Sequence, residues 1–360
     1  MIVLIDGFSV AFRAFYALPE TLMTSTGTPT NVIHGFLSMI NKVVNDYDPK
    51  QIIITWDLPG KTFRNDIYKE YKANRSPAPD NFNVQIPLLH ELIESFNIPQ
   101  VSVEGHEADD VLGSLSNLFN QNNENVLIVT GDRDTFQLIT KKTNILYTKR
   151  GISDTDKVDE SFFKNKFGIK PSQYIEYLAL KGDPSDNIPG LAGVGEKTAI
   201  SLLQQYENID RIYKNLEELT PKLKNSFEEN KEILFISKEL ATIKTDLDLE
   251  LPTVKTSETA YLSDQVLLEA QEKVLNLELN KYTISQDENI EVENENDSKE
   301  DISENKNIEG KAYLLNFEEE IYFIQKDSFG KYIGKISDLK KLVCLLYTSP
   351  SPRDTHLSRM

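Results

Sequence analysis

Nine acidic residues within the first 186 positions have types and spacing that could do chemistry. Asp6, Asp57 and Asp132 each close a short apolar run (IVLI, IIITW and VLIVT), and Asp134 follows in the turn GDRD. HEADDVLGSL supplies Glu107, Asp109 and Asp110 at the start of a helical pattern. KGDPSDNIPG supplies Asp183 and Asp186 in a loop stiffened by Pro184 and Pro189. Each has an ordinary explanation alone, since aspartate is a common turn residue and first-turn acids complement the helix dipole. Gathered at one edge of a sheet, six or more carboxylates would repel one another and resist ionising together. Divalent cations resolve that repulsion, and oxygen donors without histidine or cysteine point to Mg²⁺ or Mn²⁺. His34, His90, His106 and His356 have no metal-binding spacing, and the single Cys344 excludes a disulfide scaffold and a cysteine-zinc site.

The elements that must hold these acids are legible as periodicities. Residues 2–5, 52–56 and 126–130 are short β-branched runs of the kind that form buried parallel strands. Helical spacing appears over 31–47 (Val32, Phe36, Leu37, Ile40, Val43) and 107–119 (Val111, Leu112, Leu115, Phe119). Strands alternating with helices predict an α/β domain with a parallel sheet, whose ligand crevice lies at the carboxyl ends of the strands. From about 160 to 250 the apolar pattern is helical only, predicting a smaller helical domain.

Two further segments read as phosphate-binding. GLAGVGEKTAISLL (190–203) is a Gly-x-Gly hairpin entering a helix near Glu196. Gly193 and Gly195 would let the backbone approach a phosphate, the helix N-terminus would aim N–H groups at it, and Lys197 and Thr198 would add a charge and a hydroxyl. With a helix on each side, the string matches a helix-hairpin-helix, which holds duplex backbone without reading bases. KTFRNDIYKEYKANRSP (61–77) mixes Arg64, Lys69, Lys72 and Arg75 with Tyr68 and Tyr71, which suits phosphate contact and base stacking on a single strand. Lys72 and Arg75 would share a face if helical. The plain alternative is a solvated helix face. Arg13 is a further cation close to Asp6 in the chain.

The net charge of −18 taken alone argues against a nucleic-acid partner, but its distribution changes that reading. Residues 286–310 carry −8 with no aromatic residue, and read as a disordered acidic linker. Residues 1–200 carry −6, and the nine candidate metal ligands more than account for it. Hydrophobic residues make up 39%, enough for a core across two domains. No apolar run approaches the ~18 residues of a membrane span. MIVLIDGF lacks the basic start of a secretory signal, so a cytoplasmic location is expected.

The chain resembles the N-terminal 5′ nuclease domain of bacterial DNA polymerase I, a member of the flap endonuclease family. The resemblance rests on IDGFSVAFRAFYAL, TSTGTPTNVIHGF, TWDLPGKTFRNDIYKEYKANR, HEADDVLGSL, VTGDRDTFQL and GDPSDNIPGLAGVGEKTA, in family order and spacing from residue 2 to about 280. Phe12 stands where tyrosine is frequent and Trp56 where phenylalanine is. The resemblance implies a PIN-like parallel sheet flanked by helices, with a helical helix-hairpin-helix subdomain. It implies two metal centres, with Asp6, Asp57, Glu107, Asp109, Asp132 and Asp134 as inner ligands, and Asp110, Asp183 and Asp186 as further site carboxylates. It also implies that Lys72 and Arg75 of a helical arch contact the scissile phosphate, and that Arg64 and Tyr71 position substrate. Arg13 would contact a phosphate. Gly193, Val194, Gly195 and Thr198 would clasp duplex DNA through a K⁺ ion.

The expected organisation is an α/β nuclease domain over 1–165, with its arch at about 61–90. A helical DNA-binding subdomain follows over 166–280, with its hairpin at about 186–205. An acidic linker would fill 281–307. Residues 308–343 alternate as strands and resemble the start of a 3′–5′ exonuclease-like domain, without the aspartate-x-glutamate motif of a proofreading site. CLLYTSPSPRDTHLSRM (344–360) differs in composition and resembles translated sequencing-adapter read-through at the end of a truncated gene. The expected activity is two-metal hydrolysis of DNA at a 5′ flap, nick or 5′ end by a monomer, in a native chain that continues into a polymerase. A DNA-binding module without catalysis and an RNA-cleaving nuclease are the alternatives.

Overall fold

The computed structural model describes residues 1–24, 27–150 and 154–251, together with three short strands between 312 and 329. The chain divides into two compact units, Met1–Val266 and Leu267–Met360. In the second, β7 (Ala312–Phe317), β8 (Glu320–Gln325) and β9 (Ser328–Phe329) form an antiparallel sheet, within the segment expected to alternate as strands. The expected linker at 281–307 and tail at 344–360 lie outside the described residues.

The first unit is built on a six-stranded sheet of order β3-β2-β1-β4-β5-β6. Strands β1 (Ile2–Asp6), β2 (Gln51–Thr55) and β4 (Val126–Thr130) are the three apolar runs, and they lie parallel at the sheet's centre. Their side chains are buried almost throughout, because helices cover both faces of a parallel sheet. β3 (Gln100–Val101) and β5 (Thr143–Arg150) extend the parallel set, whereas β6 (Asp154–Val158) runs antiparallel to β5 at the edge. The sheet is therefore mixed.

Helices α1 (Gly7–Ala17) and α6 (Ala108–Gln121) pack against it, and α2 (Asn31–Tyr47) packs on α1. α2 and α6 fall where the helical spacing predicts. Gly7 is required at the β1–α1 junction, because a side chain there would collide with the Trp56 ring. Placing β1 between β2 and β4 makes the chain depart on opposite sides of β1, which opens a crevice at the carboxyl ends of these strands.

The segment expected as a helical arch is mostly irregular. Residues 61–90 hold α3 (Phe63–Ile67), a run of turns, α4 (Asp80–Asn83) and the start of α5 (Ile86–Ser95). Lys72 lies in the turns with φ 55°, so Lys72 and Arg75 do not share a helix face.

Beyond the sheet come α7 (Glu160–Phe167), α8 (Tyr174–Lys181), α9 (Glu196–Tyr206), α10 (Ile209–Lys214), α11 (Pro221–Glu229) and α12 (Lys231–Ala241). One continuous core joins these helices to the sheet, running from Leu4 and Val111 through Phe136 and Phe163 to Leu203 and Phe227. Residues 242–251 leave the helical pattern and cross α6 as an irregular strap. The strap is fastened by Lys244 N–H to Asp110, Leu247 N–H to Ser114 Oγ, and Asn117 to the Thr245 carbonyl.

Candidate active site

The crevice is a cleft of about 870 Å³. Asp6, Asp57, Glu107, Asp109 and Asp132 line it, with Lys72, Arg75, Phe8, Phe12 and Phe82. Local structure explains each position. Asp6 ends β1 and caps α1, accepting from Ser9 N–H at 3.1 Å and from Thr130 Oγ1 at 2.8 Å. Asp57 follows β2 and caps α6, accepting from Ala108 N–H at 2.7 Å. Glu107 and Asp109 flank the first residue of α6. Asp132 follows β4 and accepts from Asp134 N–H at 2.9 Å.

Asp183 and Asp186 join Asp132 in acting on Asp134, which marks a second acidic group. Asp183 is held in a tight turn, accepting from Ser185 N–H at 2.8 Å, and its backbone pairs with Ile188. The 183–188 loop of the helical lobe docks on the 70–75 turn. Lys72 N–H donates to the Asp186 carbonyl, Asn74 to the Pro184 carbonyl and Asn187 to the Glu70 carbonyl. Two loops distant in sequence thereby fix the cations over the acids. Lys72 Nζ lies 2.8 Å from Glu107 and 3.6 Å from Asp186, and Arg75 pairs with Asp186. Tyr71 is buried beneath them, its hydroxyl donating to Glu107 at 3.1 Å.

Burial and like charge together raise the acids. Asp6 is pushed up to about 7, mainly by burial and further by Asp57 and Asp132. Burial, with the neighbouring aspartates, holds Asp109 and Asp134 well above the usual carboxylate range. This donor set fits hard divalent cations: all oxygen, crowded, and short of positive charge. Among the described residues, no three of these groups stand close enough to form a ready-made cage.

Two expected site residues do not face the cleft. Asp110 is fully buried and takes both oxygens to Arg64, at 2.7 and 2.8 Å. It also accepts from Lys244 and Glu107 N–H, and its carboxyl sits below the usual range because Arg64 and these donors outweigh burial. Arg64 is 2% exposed, donates also to the Leu240 and Thr242 carbonyls, and lies 3.6 Å from Glu107. In the structure Asp110 is spent on Arg64 rather than on the cleft, and Arg64 is buried away from the surface. The two residues form a latch joining α3, α6 and the strap.

Arg13 lies against Gly131 at the cleft and donates to the Thr148 and Lys149 carbonyls, both at 2.8 Å. At the hairpin, α9 begins at Glu196 as the motif predicts. Gly193 takes φ 80°, and a side chain at Gly195 would meet only open space, so the backbone is approachable there. Lys197 is exposed and Thr198 half-buried, while the Val194 side chain is buried and leaves only its backbone available. Two contributors escaped the sequence reading. Lys222 of α11 reaches the surface beside Gly193, and Ser9 Oγ accepts from Gly131 N–H at 2.7 Å, fixing the turn that carries Asp132. Lys222 belongs to no local motif, and Ser9 lies within IDGFSVAFRAFYAL, where nothing marks its partner at Gly131.

Fold and site together define a two-lobed α/β protein with an acidic cleft at the strand ends and a helix-hairpin-helix lobe. Residues 1–168 match the family model described as 5′-3′ exonuclease, N-terminal resolvase-like domain, and residues 169–264 match 5′-3′ exonuclease, C-terminal SAM fold. The chain belongs to the 5′-3′ exonuclease family. It is 44% identical over 261 residues to DNA polymerase I of Caldicellulosiruptor bescii, covering 71% of this chain and 31% of that protein. It is 38% identical over 267 residues to DNA polymerase I of Bacillus subtilis, covering 74% and 30%. The chain thus spans about 30% of the length of these relatives. A bacteriophage T5 flap endonuclease, solved with DNA and metal ions, shares the fold with TM-score 0.58 and 20% identity, over 77% of this chain and 98% of that one. Among the described residues no helix is long and apolar enough to cross a membrane.

Proposed function

We propose that the chain is a structure-specific 5′-3′ exonuclease and 5′-flap endonuclease that hydrolyses DNA phosphodiesters with two divalent cations, Mg²⁺ or Mn²⁺. The observation that carries this reading is the meeting of three strand-end aspartates with Glu107 and Asp109 in one cleft, beneath Lys72 and Arg75. Asp6, Asp57, Glu107 and Asp109 would hold one ion, and Asp132, Asp134, Asp183 and Asp186 the other, partly through water. When bound, such ions lower the pKa of a water nucleophile and offset charge on the leaving oxygen.

The chain's own groups do the rest. Lys72 and Arg75 turn from Glu107 and Asp186 to the oxygens of the scissile phosphate, and Tyr71 holds Glu107 in place. Arg13 contacts a neighbouring phosphate. The backbone at Gly193–Gly195, with Lys197 and Thr198, grips the duplex, through K⁺ if the family's arrangement holds. The protein would act as a cytoplasmic monomer in primer removal and repair. If it forms one part of a longer polypeptide, as the sequence reading expects, polymerisation would sit in the remainder, and primer extension by the native protein tests that.

The central test is Asp132→Ala on a 5′-flapped DNA duplex with Mg²⁺. Cleavage should be abolished and DNA binding largely kept. Undiminished Mg²⁺-dependent cleavage would overturn the site. Chelator-insensitive binding without cleavage by the wild type would leave a binding module, and cleavage confined to RNA flaps would leave an RNA nuclease.

A further inference from the structure

Arg133 sits between Asp132 and Asp134 in sequence, yet its charge is directed elsewhere. The cations acting most strongly on Asp132 are Lys72 and Arg75, and on Asp134 it is Lys72. Arg133 is exposed. Its guanidinium carbon lies 5.7 Å from the centre of the Tyr147 ring, and Nε donates to the Tyr147 hydroxyl at 3.2 Å. Tyr147 begins a row of rings along the seam between the sheet and the helical lobe. It meets Phe136 at 5.3 Å, Phe136 meets Tyr174 at 5.8 Å, and Tyr174 stacks on Tyr177 at 5.3 Å. At the far end, exposed Lys181 places Nζ 5.6 Å from the centre of the Tyr177 ring. Neither cation has a carboxylate ion-pair partner among the described residues. Leu180, next to Lys181, accepts from Leu191 N–H at 2.9 Å, so the row ends where the chain enters the hairpin.

We propose that Arg133 and Lys181 form a phosphate-binding track on this ring row, which carries a duplex backbone from the cleft to the hairpin at Gly193–Gly195. The proposal rests on the nuclease reading for its ligand. The rings are the support, not the contact: Tyr174 and Tyr177 are 3% and 4% exposed, so bases cannot stack on them. That excludes single-strand capture by stacking and leaves sequence-independent backbone contact. A cation resting on a ring is already oriented, so a phosphate contact costs less side-chain freedom than one made by a free surface lysine. The two positions also flank the second acidic group, Arg133 beside Asp132 and Asp134, Lys181 two residues before Asp183. A strand held there is delivered to those acids in a fixed register.

The test uses Arg133→Gln, Lys181→Gln, the double variant, Arg133→Lys and Tyr147→Phe on a 5′-flapped duplex. Cleavage kinetics are read with Mg²⁺, and binding is read by anisotropy with Ca²⁺ across a salt series. The double variant should raise KM about tenfold, the loss falling on KM more than on kcat. The slope of log affinity against log salt should shrink by about 0.9 for each cation removed. Arg133→Lys and Tyr147→Phe, which keep the charge, should keep the slope. A wild type that cleaves while the double variant keeps both KM and slope would overturn the track and leave the nuclease reading intact. Equal loss in Tyr147→Phe and Arg133→Gln, with unchanged slopes, would make Arg133 structural and equally overturn it. A wild type without Mg²⁺-dependent cleavage would sink the nuclease reading, and the binding slopes would then judge the track by themselves.

Discussion

Asp109 and Asp110 are consecutive residues in the first turn of α6, and the regions they face have opposite electrostatics. Asp109 faces the cleft, among Asp132, Asp6 and Asp57, and its carboxyl is held well above the usual range by burial and by those charges. Asp110 faces the latch, where Arg64 and two backbone N–H groups hold its carboxyl below that range. The helix turns about 100° per residue, which suffices to send neighbours to different surroundings. The difference separates two uses of a buried acid. In the latch every oxygen has a partner and the charge holds three segments together. In the cleft the charges outnumber the cations, a deficit that protons or bound cations fill.

Two substitutions test that contrast most directly. Asp109→Asn should lower flap cleavage by on the order of a thousandfold, the loss expected when several kcal/mol of charge stabilisation is removed. It should also raise the thermal midpoint in chelator, because one crowded charge is gone. Asp110→Asn should do the reverse. It leaves Arg64 buried without its counter-ion, at a cost of about 3–5 kcal/mol, read from urea denaturation. An Asp110→Asn protein as stable as the wild type but unable to bind metal would show that the latch belongs to the metal site after all.

The pH dependence of stability should divide along the same line. A carboxyl raised on folding favours the folded state while protonated. Its contribution is intact below the unfolded value of 3.8 and is lost as pH rises through the folded value, about 7 for Asp6. Asp110 has the opposite sign. Its contribution is present above 3.8 and fades only as pH falls through its lowered folded value. Between about pH 5 and 8 the latch is therefore constant while the cleft acids titrate, and His34, lowered by burial, contributes there with the opposite sign. In chelator the thermal midpoint should fall across that window, and saturating Mg²⁺ should flatten the fall. A flat profile without metal would mean that the acids are less crowded than their placement implies.

The cleft was legible in the sequence and the latch was not. Asp6, Asp57 and Asp132 announce themselves because each ends a continuous β-branched run, and such runs are strands buried on both faces. α6 and α9 begin where acid-rich and Gly-x-Gly signals place them. The edge strands gave weaker signals: β3 is two residues long, and β6 is a polar run on the sheet's antiparallel edge. The turn at Lys72 carries no glycine to mark its positive φ. Arg64 was read with the cations around it, because nothing local shows that its partner lies 46 residues away or that its other bonds go to α12 and the strap, 176 and 178 residues on. Chemistry at strand ends follows from local pattern, whereas a pair closed across the tertiary structure depends on which surfaces finally meet.

The smallest predicted effect probes the latch where it touches the strap. Ser114 Oγ donates to the Asp110 carbonyl at 2.7 Å and accepts from Leu247 N–H at 3.1 Å. Ser114→Ala would leave the Leu247 N–H without its acceptor, a loss of about 1 kcal/mol if water does not replace it. The strap is also held by Lys244 and Asn117, so it should loosen near Leu247 without detaching. Faster amide exchange confined to about 245–251, a small drop in thermal midpoint and unaltered flap cleavage are the expected results. Loss of cleavage out of proportion to the stability change would mean that the strap controls how Glu107 and Asp109 are presented. The latch would then act on the cleft through α6, and the separation between adjacent aspartates would be one of degree.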